Sequence, residues 1–79
     1  MDKNALLARI TVQPGVMLGK PTIRQTRITV EHLLKAMAAN LTFEQLHEDF
    51  PFLEREDLQA CLLYASQLVE NEKVYSLAA

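Results

Sequence analysis

Both glycines of this chain, Gly15 and Gly19, and two of its three prolines, Pro14 and Pro21, fall between positions 14 and 21. Glycine accepts a positive φ and proline removes a backbone donor, so no helix runs through that window. Beyond Val30 only Pro51 interrupts the chain. The sequence therefore divides into an irregular or β region up to about residue 30 and a helical remainder. In the first part, Arg9-Ile10-Thr11-Val12 alternates in the manner of a strand. Pro14-Gly15 is a turn, and Gly19-Lys20-Pro21 leads into Thr22-Ile23, a polar tip Arg24-Gln25-Thr26-Arg27, and Ile28-Thr29-Val30. Ile23, Ile28 and Val30 alternate with polar neighbours, as in a half-buried strand. Residues 9–30 are thus expected to hold two or three short strands with a hairpin, too small to be stable alone. Residues 2–8 carry only a weak helix signal.

From Val30 the apolar period becomes that of a helix. Val30, Leu33, Leu34, Met37 and Leu41 form one stripe, Thr29 is placed to cap it, and Asn40 suits the left-handed residue that ends a helix. A helix over 30–40 is expected. Thr42 and Gln45 have the spacing of a capping box, and Phe43, Leu46, His47 and Phe50 share a face, which predicts a second helix over 43–50, stopped by Pro51. The third helix, 54–70, carries one stripe of Leu58, Cys61, Leu62, Ala65, Leu68 and Val69 and a second of Ala60, Leu63 and Tyr64. The short Pro51-Phe52-Leu53 connection between the last two helices outlines a helix-turn-helix unit. A tail over 72–79 follows, with Val74, Tyr75 and Leu77 as docking residues.

A chain of 79 residues forms one domain over 1–79 and removes only about 60–65% of its unfolded surface from water. The lone Cys61 cannot make an internal disulfide, so association is the expected support. The long helix is apolar around most of its girth, and a homodimer is expected, with Leu63, Tyr64, Ile23 and Ile28 at its interface. No apolar run approaches the eighteen or so residues of a membrane span, and the N-terminal residues lack the pattern of a secretory leader. A cytoplasmic protein with a reduced Cys61 is the expectation.

Charge is unevenly spread. Residues 1–30 hold five cations (Lys3, Arg9, Lys20, Arg24, Arg27) against Asp2 alone, whereas residues 31–79 hold three cations against nine acids. Such a split fits a polyanionic partner at the basic end, or attraction between the two parts within or between subunits. The acidic start of the third helix, Glu54-Arg55-Glu56-Asp57, opposes phosphate contact and matches the helix dipole. Lys20, Arg24, Gln25 and Arg27 of the hairpin are therefore the candidate contacts for a protein or a nucleic acid. Alternatively, Arg27 pairs with a helix carboxylate while Lys20 and Arg24 are solvated.

Catalytic chemistry finds no support. His32 and His47 sit on different helices, Cys61 lies in an apolar stripe, and no ligand pair has the spacing of a zinc site. The adjacent acids Glu48/Asp49 and Glu56/Asp57 diverge around their helices and are read as solvated. No phosphate-binding glycine loop or nucleophile elbow occurs. No enzyme activity, metal, cofactor or small-molecule substrate is inferred.

The segments GKPTI (Gly19 to Ile23), TRITV (Thr26 to Val30) and FPFLEREDLQACLLYA (Phe50 to Ala65) stand in this order over about two thirds of the chain. They resemble the hallmarks of the bacterial and archaeal family catalogued as domain of unknown function 433. The resemblance implies a mainly α fold with a small β region: a three-helix, homeodomain-like helix-turn-helix bundle preceded by short strands. It further implies an antitoxin-like protein that binds a partner toxin of the PIN type and its own promoter. A DNA-binding regulator using the basic hairpin is the alternative. Two positions depart from the family: Gln25 stands where glycine is usual, and Glu54 or Arg55 where Ser or Thr caps the third helix.

Overall fold

In the computed structural model, which describes residues 1–71, Asp2 starts the first element. Its carboxylate accepts the Ala5 N–H at 2.7 Å and caps α1, Lys3–Leu7. Two-residue strands follow, β1 at Ile10–Thr11 and β2 at Thr22–Ile23. They pair antiparallel with Ile10 opposite Ile23 and Thr11 opposite Thr22. The three long elements are α2, Val30–Ala38; α3, Phe43–Asp49; and α4, Arg55–Asn71. The molecule is mainly helical, with a small sheet near its N-terminus. The tail residues Val74, Tyr75 and Leu77 lie outside the described residues.

Local chemistry sets the helix bounds. Thr29 accepts the His32 N–H at 3.0 Å and caps α2, and Asn40 takes φ of 66° just past its end. Thr42 and Gln45 form the reciprocal capping box of α3, at 3.1 and 2.8 Å. The start of α4 lacks a Ser or Thr cap. Asp57 instead reaches back to accept the Glu54 N–H at 2.9 Å, half of a capping box supplied from the third helical position. His47 Nδ1 lies 3.0 Å from the Leu53 carbonyl, an acceptor, so this nitrogen carries the proton and ties α3 to the connection ahead of α4.

The β region is smaller than its alternation predicts. Val12 lies outside the strand and is exposed, and Thr29 meets Thr22 in a single isolated bridge. Two further bonds close the segment, Ile23 N–H to Ile28 O at 2.9 Å and Val30 N–H to Pro21 O at 3.0 Å. The hairpin is thus a tight loop pinned on both sides, without a second strand.

Ile23, Leu33, Leu46, Leu53 and Cys61 form the fully or nearly fully buried centre, with Ile28, Val30 and Ala36 around it. This corrects the expectation for Ile23 and Ile28: both are core residues of one chain and offer no interface. Helix α1 packs along α4, and Tyr64 of the second stripe packs against the core. Ala60 is buried, while Leu63 and Tyr64 remain half-buried.

Candidate functional site

The candidate site is the basic segment from Lys20 to Arg27 and the surfaces beside it. The turn Ile23-Arg24-Gln25-Thr26 closes with Thr26 N–H donating to Ile23 O at 2.7 Å. Arg24 and Gln25 both have positive φ, 44° and 62°, the sign pattern of a type I′ turn. Glycine is the usual solution there, so each residue is held in a costly conformation. Neighbours hold it: Gln25 N–H donates to Thr11 Oγ1 at 3.0 Å, and Arg24 N–H to Arg9 O at 2.8 Å.

The cations of the segment have different fates. Arg24 Nε and Nη2 donate to the two carboxylate oxygens of Asp57 at 3.0 and 2.9 Å, and Nη2 also reaches Phe52 O at 2.8 Å. Arg9 joins the same cluster, to Asp57 at 3.0 Å and to Glu54 at 2.6 Å. Asp57 is fully buried, which corrects its reading as a solvated acid. Burial pushes its pKa up, but the bonds from Arg24, the Glu54 N–H and Arg9 outweigh that and hold the carboxyl below its ordinary value. Lys20 pairs with Glu31 at 2.9 Å, and Lys35 reaches the same carboxylate at 3.0 Å. These hydrogen bonds lower the Glu31 pKa to about 2. Arg27 alone of the three hairpin cations has no ion pair among the described residues, the reverse of the pairing considered from the sequence.

Two concavities flank this segment. The larger, about 270 Å³, is an apolar groove of Pro21, Val30 and Leu34 facing Tyr64, Ala65 and Leu68 of α4, with Glu31 and Lys35 on its rim. The expected interface residue Tyr64 lines it. Leu62 and Leu68 (each 54% exposed) and Val69 (61%) extend the apolar surface along α4. The smaller, about 160 Å³, is a hollow of Met17, Arg27, Ile28, Thr29, His32 and Phe50. His32 meets Phe50 edge-on at 5.9 Å.

A family model described as "Protein of unknown function (DUF433)" matches residues 10–65, which covers the β region and most of the helical part. The chain belongs to the DUF433 family. No curated protein and no solved structure matches it significantly. Within the DUF433 segment lie Arg24, Arg27, Asp57 and both concavities except the Leu68 end of the groove.

Cys61, fully buried, has its thiol pushed up to about 12 by burial and by the nearby Asp57 charge. No group of three or more His, Cys, Asp or Glu side chains is placed to hold a metal among the described residues. Nor is any described helix long and apolar enough to cross a membrane. Sequence reasoning missed Arg9, Asp57 and the hollow; the clue for Asp57 was its place three residues beyond Glu54, where a side chain can close a cap.

Proposed function

We propose that this DUF433 chain is a non-catalytic, antitoxin-like interaction module of the cytoplasm. It acts as a homodimer that binds a partner protein, by the family resemblance a PIN-type toxin. In this reading α3 and α4 are the helix-turn-helix pair on a homeodomain-like bundle. The observation that carries the proposal is the apolar groove between Pro21, Val30, Leu34 and Tyr64, Ala65, Leu68, continued by exposed Leu62 and Val69. A core this small leaves little stability to spare, and covering such a face adds to it.

A second copy is the occupant that suits the groove. Its rim carries one anion and one cation, Glu31 and Lys35. The two are already paired with each other at 3.0 Å, so the groove offers a second copy an apolar face whose rim charges are matched. A two-fold axis buries two such faces at once. DNA binding through the hairpin draws less support, since Lys20 and Arg24 are engaged by Glu31 and Asp57 and contribute little counterion release.

Light scattering over a concentration series tests the dimer, with a two-chain mass expected. Leu68→Lys is expected to yield folded monomers, because the position is exposed in the single chain, and to lose only the concentration-dependent part of the wild-type stability. A wild-type monomer at high concentration overturns the dimer. Co-expression with the product of the neighbouring gene tests the partner, and failure of the two to co-purify overturns that part.

A further inference from the structure

The hollow beside Arg27 has a composition that the homodimer does not use. Its walls are mostly apolar, from Met17, Ile28 and Phe50 with Thr29 and His32 beside them, and its one permanently charged group is Arg27. Glu31, the acid nearest to Arg27 in sequence, is already shared by Lys20 and Lys35. Arg9, Arg24 and Asp57 satisfy one another elsewhere. Arg27 is therefore a guanidinium with its donors uncommitted among the described residues, held beside an apolar recess. A fork of this kind matches a carboxylate in a way a lysine does not.

The chain next to the hollow is strained. Met17, Leu18 and Gly19 have φ of 50°, 59° and 79°, a left-handed turn in which two residues carry side chains. Each such non-glycine residue costs on the order of 1 kcal/mol or more, and strain of this kind gathers at binding sites. The turn places Met17 in the wall of the hollow and leaves Leu18, its neighbour, 94% exposed.

We infer that this corner, Arg27 with Met17, Leu18, His32 and Phe50, grips an acidic side chain of a partner protein, with an apolar residue of that partner lying against Leu18 and the recess. The inference rests on the interaction-module reading above and names the chemistry of its partner. A hollow of about 160 Å³ takes a side chain and is well below the roughly 300 Å³ at which pockets hold cofactors or drug-sized ligands. A single uncommitted arginine among apolar walls suits one carboxylate, whereas a nucleic-acid backbone calls for a row of cations.

The test uses isotope-labelled full-length protein and two blocked peptides, acetyl-Leu-Glu-Leu-amide and acetyl-Leu-Gln-Leu-amide, with inorganic phosphate as a third probe. The glutamate peptide is expected to shift the Arg27 Nε–H and the Met17, Leu18 and His32 amide signals saturably. The glutamine peptide should bind at least about tenfold more weakly, the loss of a charge-assisted pair. Phosphate, which can pair with Arg27 but has nothing to lay against Met17, Ile28 and Phe50, should also bind more weakly than the glutamate peptide. Arg27→Gln should abolish the preference for glutamate with an unchanged melting curve, and Arg27→Lys should retain only part of it. Equal binding of the two peptides, an equal response to phosphate, or a preference that survives Arg27→Gln overturns the inference. So does movement of the same signals on self-dilution, which would put a second copy in the hollow. Co-purification separates the two readings. If wild type and Arg27→Gln retain the neighbouring gene's product equally, the acidic-grip inference fails and the module reading stands. If wild type retains nothing, the partner reading fails and the peptide titration alone decides the chemistry of the hollow.

Discussion

Arg24 and Asp57, thirty-three positions apart in sequence, are joined side-on by two hydrogen bonds of 3.0 and 2.9 Å. The pair fastens the tip of the β loop to the first turn of α4, and Arg9 brings the residue just before β1 to the same carboxylate. Three segments that share no local signal are thereby held by one buried side chain. Asp57→Asn leaves two arginines and the Glu54 N–H to share one amide oxygen where the carboxylate offered two, and turns an NH2 group toward donors. Removing one partner from a buried pair typically costs 3–5 kcal/mol. Because the arginines can turn to solvent, a loss of about 3 kcal/mol is expected, read as a lower urea midpoint in circular dichroism. Arg24→Ala should cost less, about 1–2 kcal/mol, since Arg9 still faces Asp57. Losses of equal size in the two variants would show that Arg9 does not share the load.

The same carboxylates set the acid limb of stability. A group held below its ordinary pKa contributes in full above that ordinary value, and the contribution fades as pH falls through the native value. Glu31 moves from 4.5 to about 2, and Asp57 is also lowered from 3.8. Stability should therefore be level on the neutral side of pH 4.5 and decline between there and about 2, as protons bind first to the unfolded chain. Glu31 is exposed and salt screens its pairs, so the decline should owe more to Asp57. Denaturant midpoints measured across this range should fall less steeply for Asp57→Asn than for wild type. An unchanged slope in that variant would remove Asp57 from the account.

Cys61 gives a direct readout of the core. The thiolate is the reactive form, and this thiol is both inaccessible and pushed up to about 12. Labelling by a thiol reagent near neutral pH should be slow in the native state and rapid in urea. In native buffer its rate should track global opening, so Asp57→Asn should accelerate it. Fast labelling of the folded wild type would place Cys61 nearer the surface than the fold allows.

The parts of this fold legible in sequence are those with local causes. Thr29, Asn40 and the Thr42–Gln45 box act within one turn of chain, and the bounds of α2 and α3 follow from them to within two residues. α1 has five residues and no full apolar stripe, so its packing on α4 depends on the rest of the fold. Alternation at Ile23, Ile28 and Val30 correctly marked burial, yet it does not tell a neighbouring subunit from the chain's own helices. Asp57 reads like any acid in a first helical turn, and its role depends on arginines that folding brings from far away in sequence. For the candidate site the result was mixed: Lys20, Arg24 and Arg27 stood out together, but only Arg27 is left uncommitted among the described residues.

Gln25 offers a gain of stability in place of a loss. Its φ of 62° lies in the left-handed region, where a side chain costs about 1–2 kcal/mol relative to the right-handed one. Glycine removes that cost but gives the unfolded chain more freedom, worth roughly 0.5–1 kcal/mol in the other direction. The backbone bond from position 25 to Thr11 Oγ1 survives the change, because it uses only the N–H. Gln25→Gly should thus stabilise the protein by about 0.5–1 kcal/mol, or roughly 3–6 °C in Tm for a domain of this size. Gln25→Val should destabilise by more than that, since β-branching fits the left-handed region worst. Thermal denaturation of the three proteins decides the matter. If glycine lowers the Tm, the glutamine side chain makes a contribution that outweighs its backbone strain, and the turn is tuned to the residue it carries.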